Sequence, residues 1–283
     1  MTHNPDWGYI DVPGGRLYQE AEGIGPALAL IHAGVAHLRM WDAQVEAWRD
    51  HFRVIRCDTR GFGRTETEDV PYSNVDDMAL LLDALGVHRT HLLGASRGAI
   101  IATDFTLLHP DRVSSLVWVA GGLRGFDIED PRLTETFKEM ERLEEARDWE
   151  PLVELETQVW TDGPGQPADR VAPELRRQMI GWNMQNYLAE QPANQLIRPS
   201  VIAAEHVAEI SVPALFMWGT LDELGVIRAG EKLAAEVRGA RSHVFEGAAH
   251  MVNLEQPKEF NKVVLDFLLE VETKAQAEAS PDS

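Results

Sequence analysis

Hydrophobic positions along the chain follow two rhythms. Tyr9–Pro13 and Arg16–Glu22, split by Gly14-Gly15, read as a β-hairpin. Ala27-Leu28-Ala29-Leu30-Ile31-His32 is an almost unbroken apolar run, as expected of a strand buried on both faces, and Arg53–Asp58 repeats that character. Between Asn74 and Leu85 the apolar residues Val75, Met78, Leu81, Leu82 and Leu85 recur at helical spacing, and Gly86 closes the helix. Thr90–Ala95 predicts a strand, Gly98–Leu108 a helix ended by Pro110, and Val113–Ala120 the next strand. From Gly121 to about Ile210 the rhythm changes. Glu, Arg, Trp and Gln become common, helices are predicted near Asp130–Ala146, Pro151–Trp160 and Glu174–Glu190, and no buried-strand pattern occurs. After Pro213 the first rhythm resumes: Ala214–Trp218 as a strand, Ala229–Val237 as a helix, His243–Phe245 as a short strand and Pro257–Val271 as an amphipathic helix. Thr273–Ser283 is polar and expected to fray.

Strands alternating with helices predict an α/β fold, with a mostly parallel, doubly wound sheet of about eight strands. The helical stretch interrupts it, so the expected division is a core from residues 1–122 and 211–283 with residues 123–210 inserted over one edge of the sheet.

Composition narrows the partners. The chain has 283 residues and a formal net charge of −20. Phosphate backbones and anionic membranes both require an excess of Lys and Arg, so neither nucleic acid nor a membrane surface is expected. No apolar run reaches the roughly 18–20 residues that span a bilayer. Met1–Trp7 has no basic region followed by an apolar stretch, so no signal peptide is read there and a cytoplasmic location is expected. Cys57 is the single cysteine, which rules out an internal disulfide and a cysteine metal cluster; within its apolar run it reads as a buried structural thiol.

The strongest chemical signal is Gly94-Ala95-Ser96-Arg97-Gly98, which follows an apolar strand and opens a helix. Only in that context does G-x-S-x-G carry meaning: a sharp turn projects the serine hydroxyl, and side chains at the flanking glycines would collide with the adjacent strand or helix. A serine hydroxyl is a poor nucleophile without a base, so a histidine and an acid must be found. His250 lies in a loop after a strand and before the last helix. His243 falls inside a strand pattern, and His3, His51, His88, His91, His109 and His206 read as surface or structural. The acid is read as Asp222, just beyond the Gly219 turn, where it would fix the imidazole tautomer. Glu223 and Asp127 remain as competitors. Oxyanion donors are expected from the backbone N–H of Arg97 and of Gly34, with Val35 in reserve. His32 reads as a residue that fixes the loop.

Together these segments resemble the α/β-hydrolase superfamily over nearly the whole chain outside the insert. Leu30-Ile31-His32-Ala33-Gly34 with Met40-Trp41-Asp42 looks like its oxyanion loop, and Asp58-Thr59-Arg60-Gly61-Phe62-Gly63-Arg64-Thr65 like its D-x-R-G-x-G-x-S turn. Val212-Pro213 through Asp222 looks like the acid strand, and Gly247–His250 with Glu255-Gln256-Pro257 like the histidine loop and final helix. The resemblance implies acyl transfer with Ser96 as nucleophile and His250 as base, no metal or organic cofactor, and a small or medium carboxylic ester as substrate. It also implies that the insert is a helical cap. Trp160, Trp182, Met184 and Tyr187, with Val35 and Met251, are the candidate pocket residues, and the competing reading makes the aromatics the cap's own core. Arg97 stands where Met or Gln is common, so it either faces the pocket rim, favouring a carboxylate-bearing substrate, or forms a structural ion pair. A lactone, or carbon–carbon cleavage of a vinylogous diketone, is the enzyme alternative. Met251 after the histidine, where Trp is frequent among the carbon–carbon hydrolases, weakens the second. The non-enzyme alternative is a small-molecule receptor of the same fold. A homodimer is an admissible assembly.

Overall fold

The computed structural model describes residues 6–189 and 195–279. His3, the N-terminal residues Met1–Pro5, Glu190 and the last residues 280–283 lie outside it. Strand β1 (Asp6–Val12) and β2 (Gly15–Glu22) form the expected hairpin. Gly14 turns between them with φ of 71°, a conformation glycine takes without a Cβ penalty. Next come β3 (Ala27–Ile31), α1 (Asp42–Trp48), β4 (Arg53–Cys57), β5 (Glu66–Thr67), α2 (Asn74–Ala84), β6 (Thr90–Ala95), α3 (Arg97–Leu108) and β7 (Val113–Val119). The sheet is re-entered by β8 (Ala214–Gly219), α8 (Leu224–Glu236), β9 (Arg241–Phe245), α9 (Val252–Glu255) and α10 (Pro257–Ala279).

Among the described residues nine strands form one sheet in the order β1-β2-β4-β3-β6-β7-β8-β9, with β5 paired to β2. The pairs from β4 through β9 are parallel, and the β1–β2 hairpin is antiparallel at one edge. Strand β6 is buried along its whole length, as is β8, which explains their continuous apolar sequence: helices cover both faces. Because these strands are parallel, the loops after β3, β6, β7, β8 and β9 emerge at one edge, and Gly34, Ser96, Asp127, Asp222 and His250 all follow strands at that edge.

Between β7 and β8 run α4 (Thr134–Ala146), α5 (Trp149–Thr157), α6 (Pro173–Leu188) and the short α7 (Ala203–His206). Here the described residues add no strand to the sheet; the only pairing is an isolated bridge from Leu196 to Tyr72. Leu133, Met140, Leu143, Leu152 and Val159 give this layer a small core separate from the main one. After α5 the backbone widens into a π-helical turn over Gln158–Asp162.

Several boundaries differ from the sequence expectation. Helix α8 starts at Leu224, five positions before Ala229, because the Glu223 side chain caps it. Helix α4 starts later than expected and α6 one residue earlier, with Pro173 in its first turn. The tail does not fray after Thr273: α10 continues to Ala279 through an alanine- and glutamate-rich stretch of high helix propensity. Helix α1 and the two-residue β5 were not read from the pattern. No described helix is long and apolar enough to cross a membrane.

Candidate active site

Ser96 sits at φ 54° and ψ −119°, a strained conformation for a residue with a Cβ. The elbow is held from both sides. Its N–H donates to the Val119 carbonyl at 2.8 Å, and its carbonyl accepts from Ala99 N–H at 2.9 Å. A Cβ on Gly94 would strike the Gly98 carbonyl, and one on Gly98 would strike the Ile31 and His32 carbonyls. Strand, helix and neighbouring strand therefore approach to backbone contact, which only glycine permits. Although Ser96 occupies the N-cap of α3, its side chain makes no capping bond, so the hydroxyl is not spent on its own helix.

His250 and Asp222 meet directly. His250 Nδ1 lies 3.0 Å from both carboxylate oxygens of Asp222, which is 0% exposed. Asp222 Oδ1 also accepts the Glu223 N–H at 2.7 Å. The carboxylate can only accept, so Nδ1 carries the proton and Nε2 is left as the basic nitrogen. Glu223, the sequence competitor, is turned away: its oxygens accept from Gly225 N–H at 2.8 Å and Val226 N–H at 3.0 Å. Burial raises its pKa above the usual glutamate range, and those two amides partly offset this. Asp127 is exposed on the loop after β7. Ser96 comes to the same sheet edge, but no hydrogen bond joins Ser96 Oγ to His250 among the described residues.

The loop after β3 is pinned by buried groups. His32 Nδ1 donates to the Ala33 carbonyl at 2.8 Å, while its Nε2 accepts from Thr59 N–H at 3.0 Å. Burial, the largest cause, lowers the His32 pKa to about 3, so this ring stays neutral and acts as a strut. Asp58 accepts Leu38 N–H and Arg64 N–H, both at 2.8 Å, and burial lifts its pKa to about 6. Ala33 N–H goes to Met40 Sδ at 3.2 Å and Ala36 N–H to the Ala33 carbonyl. Gly34, Val35 and Arg97 N–H take part in none of the hydrogen bonds among the described residues, which leaves them available to an oxyanion. Gly34 lies against Arg97, since a Cβ there would sit 3.7 Å from Arg97 Cδ.

The helical layer touches both halves of this edge. From the π-helical turn, the Trp160 ring lies 4.8 Å from the His250 ring, centroid to centroid. Trp182 packs edge-on against His37 at 5.3 Å, and Asn186 Nδ2 donates to the Ala36 carbonyl at 3.1 Å. Met184 is half-buried on the same helix. Tyr187 goes into the layer's own core, stacked on Trp149 at 4.9 Å with its hydroxyl donating to Glu156 at 2.9 Å. Met251 is buried in the main core, and Val35 packs partly against it.

One group was not anticipated from sequence. Arg170 donates to the Thr161, Asp162 and Gly247 carbonyls and pairs with Glu255 at 2.5 Å. The other oxygen of Glu255 accepts Ala249 N–H at 2.9 Å, next to His250. A lone arginine in a loop gives no sequence signal for such a tie, because its partner is 85 positions away.

Comparison with known proteins agrees with this fold. A family model described as alpha/beta hydrolase fold matches residues 26–257. A 2-hydroxy-6-oxononadienedioate/2-hydroxy-6-oxononatrienedioate hydrolase from Burkholderia vietnamiensis is 29% identical over 264 residues, covering 89% of this chain and 91% of that protein. Among solved structures, the enol-lactonase of Burkholderia xenovorans is 26% identical with a TM-score of 0.76, covering 93% of this chain and 100% of its own. A carboxylesterase from Bacillus subtilis is 25% identical with a TM-score of 0.74, covering 94% and 92%.

Proposed function

The chain belongs to the α/β-hydrolase fold family, and on that premise we propose that it is a serine hydrolase cleaving a small or medium carboxylic ester. The observation that carries the reading is the fully buried Asp222 carboxylate holding His250 Nδ1 at 3.0 Å, on the sheet edge that also bears the strained Ser96. Asp222 fixes the tautomer and stabilises the imidazolium, leaving His250 Nε2 to take the Ser96 proton as Oγ attacks the carbonyl. The tetrahedral oxyanion is received by the backbone N–H groups of Gly34 and Arg97, backed by the positive end of α3. His250 then protonates the leaving alcohol. In the second half it deprotonates the water that cleaves the acyl-enzyme. Apo geometry supports the roles without a closed Ser–His bond, since such bonds often tighten only when substrate is bound.

In this reading residues 123–210 cap an α/β core made of residues 1–122 and 211–283, and Trp160 and Trp182 face the site from the cap. A second reading, carbon–carbon hydrolysis of a vinylogous diketone on the same residues, is favoured by the name of the Burkholderia vietnamiensis relative. Rapid release of p-nitrophenol from short acyl esters, reduced on the order of 10³-fold or more by Ser96→Ala, is the outcome expected of the esterase. Inertness on every acyl length, with loss of the colour of a vinylogous diketone instead, would move the assignment to the second reading.

A further inference from the structure

Arg97 is the first residue of α3, where the helix dipole already presents its positive end. A cation there is unfavourable unless an anion answers it. Elsewhere this acidic chain, with 46 Asp and Glu against 26 Lys and Arg, pairs most of its buried and half-buried arginines with carboxylates, Arg53 on the Leu85 carbonyl being an exception. Arg56 meets Glu20, Arg60 meets Asp77, Arg124 meets Asp104 and Arg176 meets Asp162. Arg97 is half-buried too, yet among the described residues no carboxylate pairs with it. Its partners are neutral: Thr59 Oγ1 at 2.5 Å, Asn74 Oδ1 at 3.4 Å, the Tyr72 phenol, and the face of Phe62 at 4.7 Å. Desolvation lowers its pKa, as it does for a cation lacking an anion.

The side chain also borders open space. It lines a cavity of about 390 Å³ beside α3, together with Arg124, Arg198, Asp104 and Asp127. Three arginines against two aspartates make this a locally cationic site in a protein of net charge −20. Ile100 and Leu123 supply an apolar wall. The neutral partners orient the guanidinium without neutralising it. A guanidinium has five N–H donors in a planar fork, so donors remain for a carboxylate.

We propose that Arg97 is a specificity-determining residue that binds a free carboxylate, so that the substrate is an acyl compound carrying a second, uncleaved carboxylate. Arg97 directly follows Ser96 in the chain and the stem of its side chain packs against Gly34, which links the guanidinium to the elbow, while Ser96, Gly34 and His250 themselves do not line the cavity. This rests on the serine-hydrolase reading for where the cleaved bond lies, but carboxylate binding can be tested without turnover.

Two assays separate the questions. The mono-p-nitrophenyl ester of glutaric acid is compared with p-nitrophenyl pentanoate, its uncharged counterpart. The native protein is expected to favour the charged ester through a lower KM, and Arg97→Met to reduce the charged-to-neutral ratio of kcat/KM on the order of 10- to 100-fold. Arg97→Lys, which keeps the charge without the fork, should retain part of the ratio. No native preference, or equal losses on both esters, overturns the proposal. In parallel, glutarate is titrated into Ser96→Ala protein by calorimetry. Saturable binding that Arg97→Met abolishes sustains the carboxylate site even if neither ester is cleaved, in which case the esterase reading alone has failed. No glutarate binding overturns it. If Arg97→Met does not fold, the native preference and the Arg97→Lys titration decide.

Discussion

Replacing Arg170 by alanine tests whether the insert and the histidine loop are one mechanical unit. Arg170 is 13% exposed and its partner Glu255 only 5%. Removing one member of a buried ion pair strands the other, at a cost of about 3–5 kcal/mol. The three carbonyls of Thr161, Asp162 and Gly247 lose a donor as well. For a chain of this size each kcal/mol lowers Tm by about 2–4 °C, so the expected fall is roughly 10 °C. The deficit should depend on pH. Burial raises the Glu255 pKa, and its bond and charge interaction with Arg170 are the main opposing causes. Without Arg170 the folded-state pKa climbs further above the unfolded one. The folded variant then binds more protons than the unfolded chain, and it gains stability as pH falls. Melting curves and guanidinium titrations of both proteins, run from about pH 8 down to about pH 5, should show a gap that is widest at high pH and narrows on acidification. A deficit under about 1 kcal/mol, or one that stays constant across that range, would refute the reasoning. Because Glu255 also holds Ala249 N–H, kcat should fall in the same variant.

Asp222→Asn should lower kcat on the order of 10³- to 10⁴-fold with little change in circular dichroism, because the amide can favour the wrong tautomer of His250 without altering shape. A loss under about tenfold would remove Asp222 from the mechanism. Cys57, buried and with its thiol pushed up to about 12, should resist a disulfide reagent at neutral pH and react with full stoichiometry in guanidinium; rapid labelling of the folded protein would contradict the burial.

The parts of the site legible in the sequence are those with local causes. Parallel strands buried on both faces read as apolar runs, and the elbow needs its glycines within two residues of Ser96 because the backbone contacts there are immediate. The sequence reads Asp222 as the acid but leaves Glu223 as a competitor. The two are adjacent and chemically alike, and what separates them is that α8 begins at Leu224, which commits Glu223 to its amides. Tyr187 is a pocket candidate only through the resemblance of the insert to a cap, and its stacking on Trp149 and hydroxyl bond to Glu156 fit the competing reading, the insert's own core. The role of Arg97 was undecided for the same reason: whether a cation has an anionic partner depends on which distant residues surround it.

The way the helical insert meets the sheet bears on how specificity could change in such a protein. Trp160 packs on His250, Asn186 bonds the Ala36 carbonyl beyond Gly34, and Arg170 ties the π-helical turn to the loop of His250. Each contact ends on a loop at the strand edge rather than on Ser96 itself. Ser96, the proposed nucleophile, is thus fixed by the sheet, through strand and helix packing that tolerates no added atom, whereas His250 and Gly34, the proposed base and oxyanion donor, lie on loops that the insert contacts. A substitution in the insert would then act on the protonation and orientation of the base as well as on pocket shape. Changes of substrate made there should carry a shift in the pH profile of kcat, which a change of pocket volume alone would not produce.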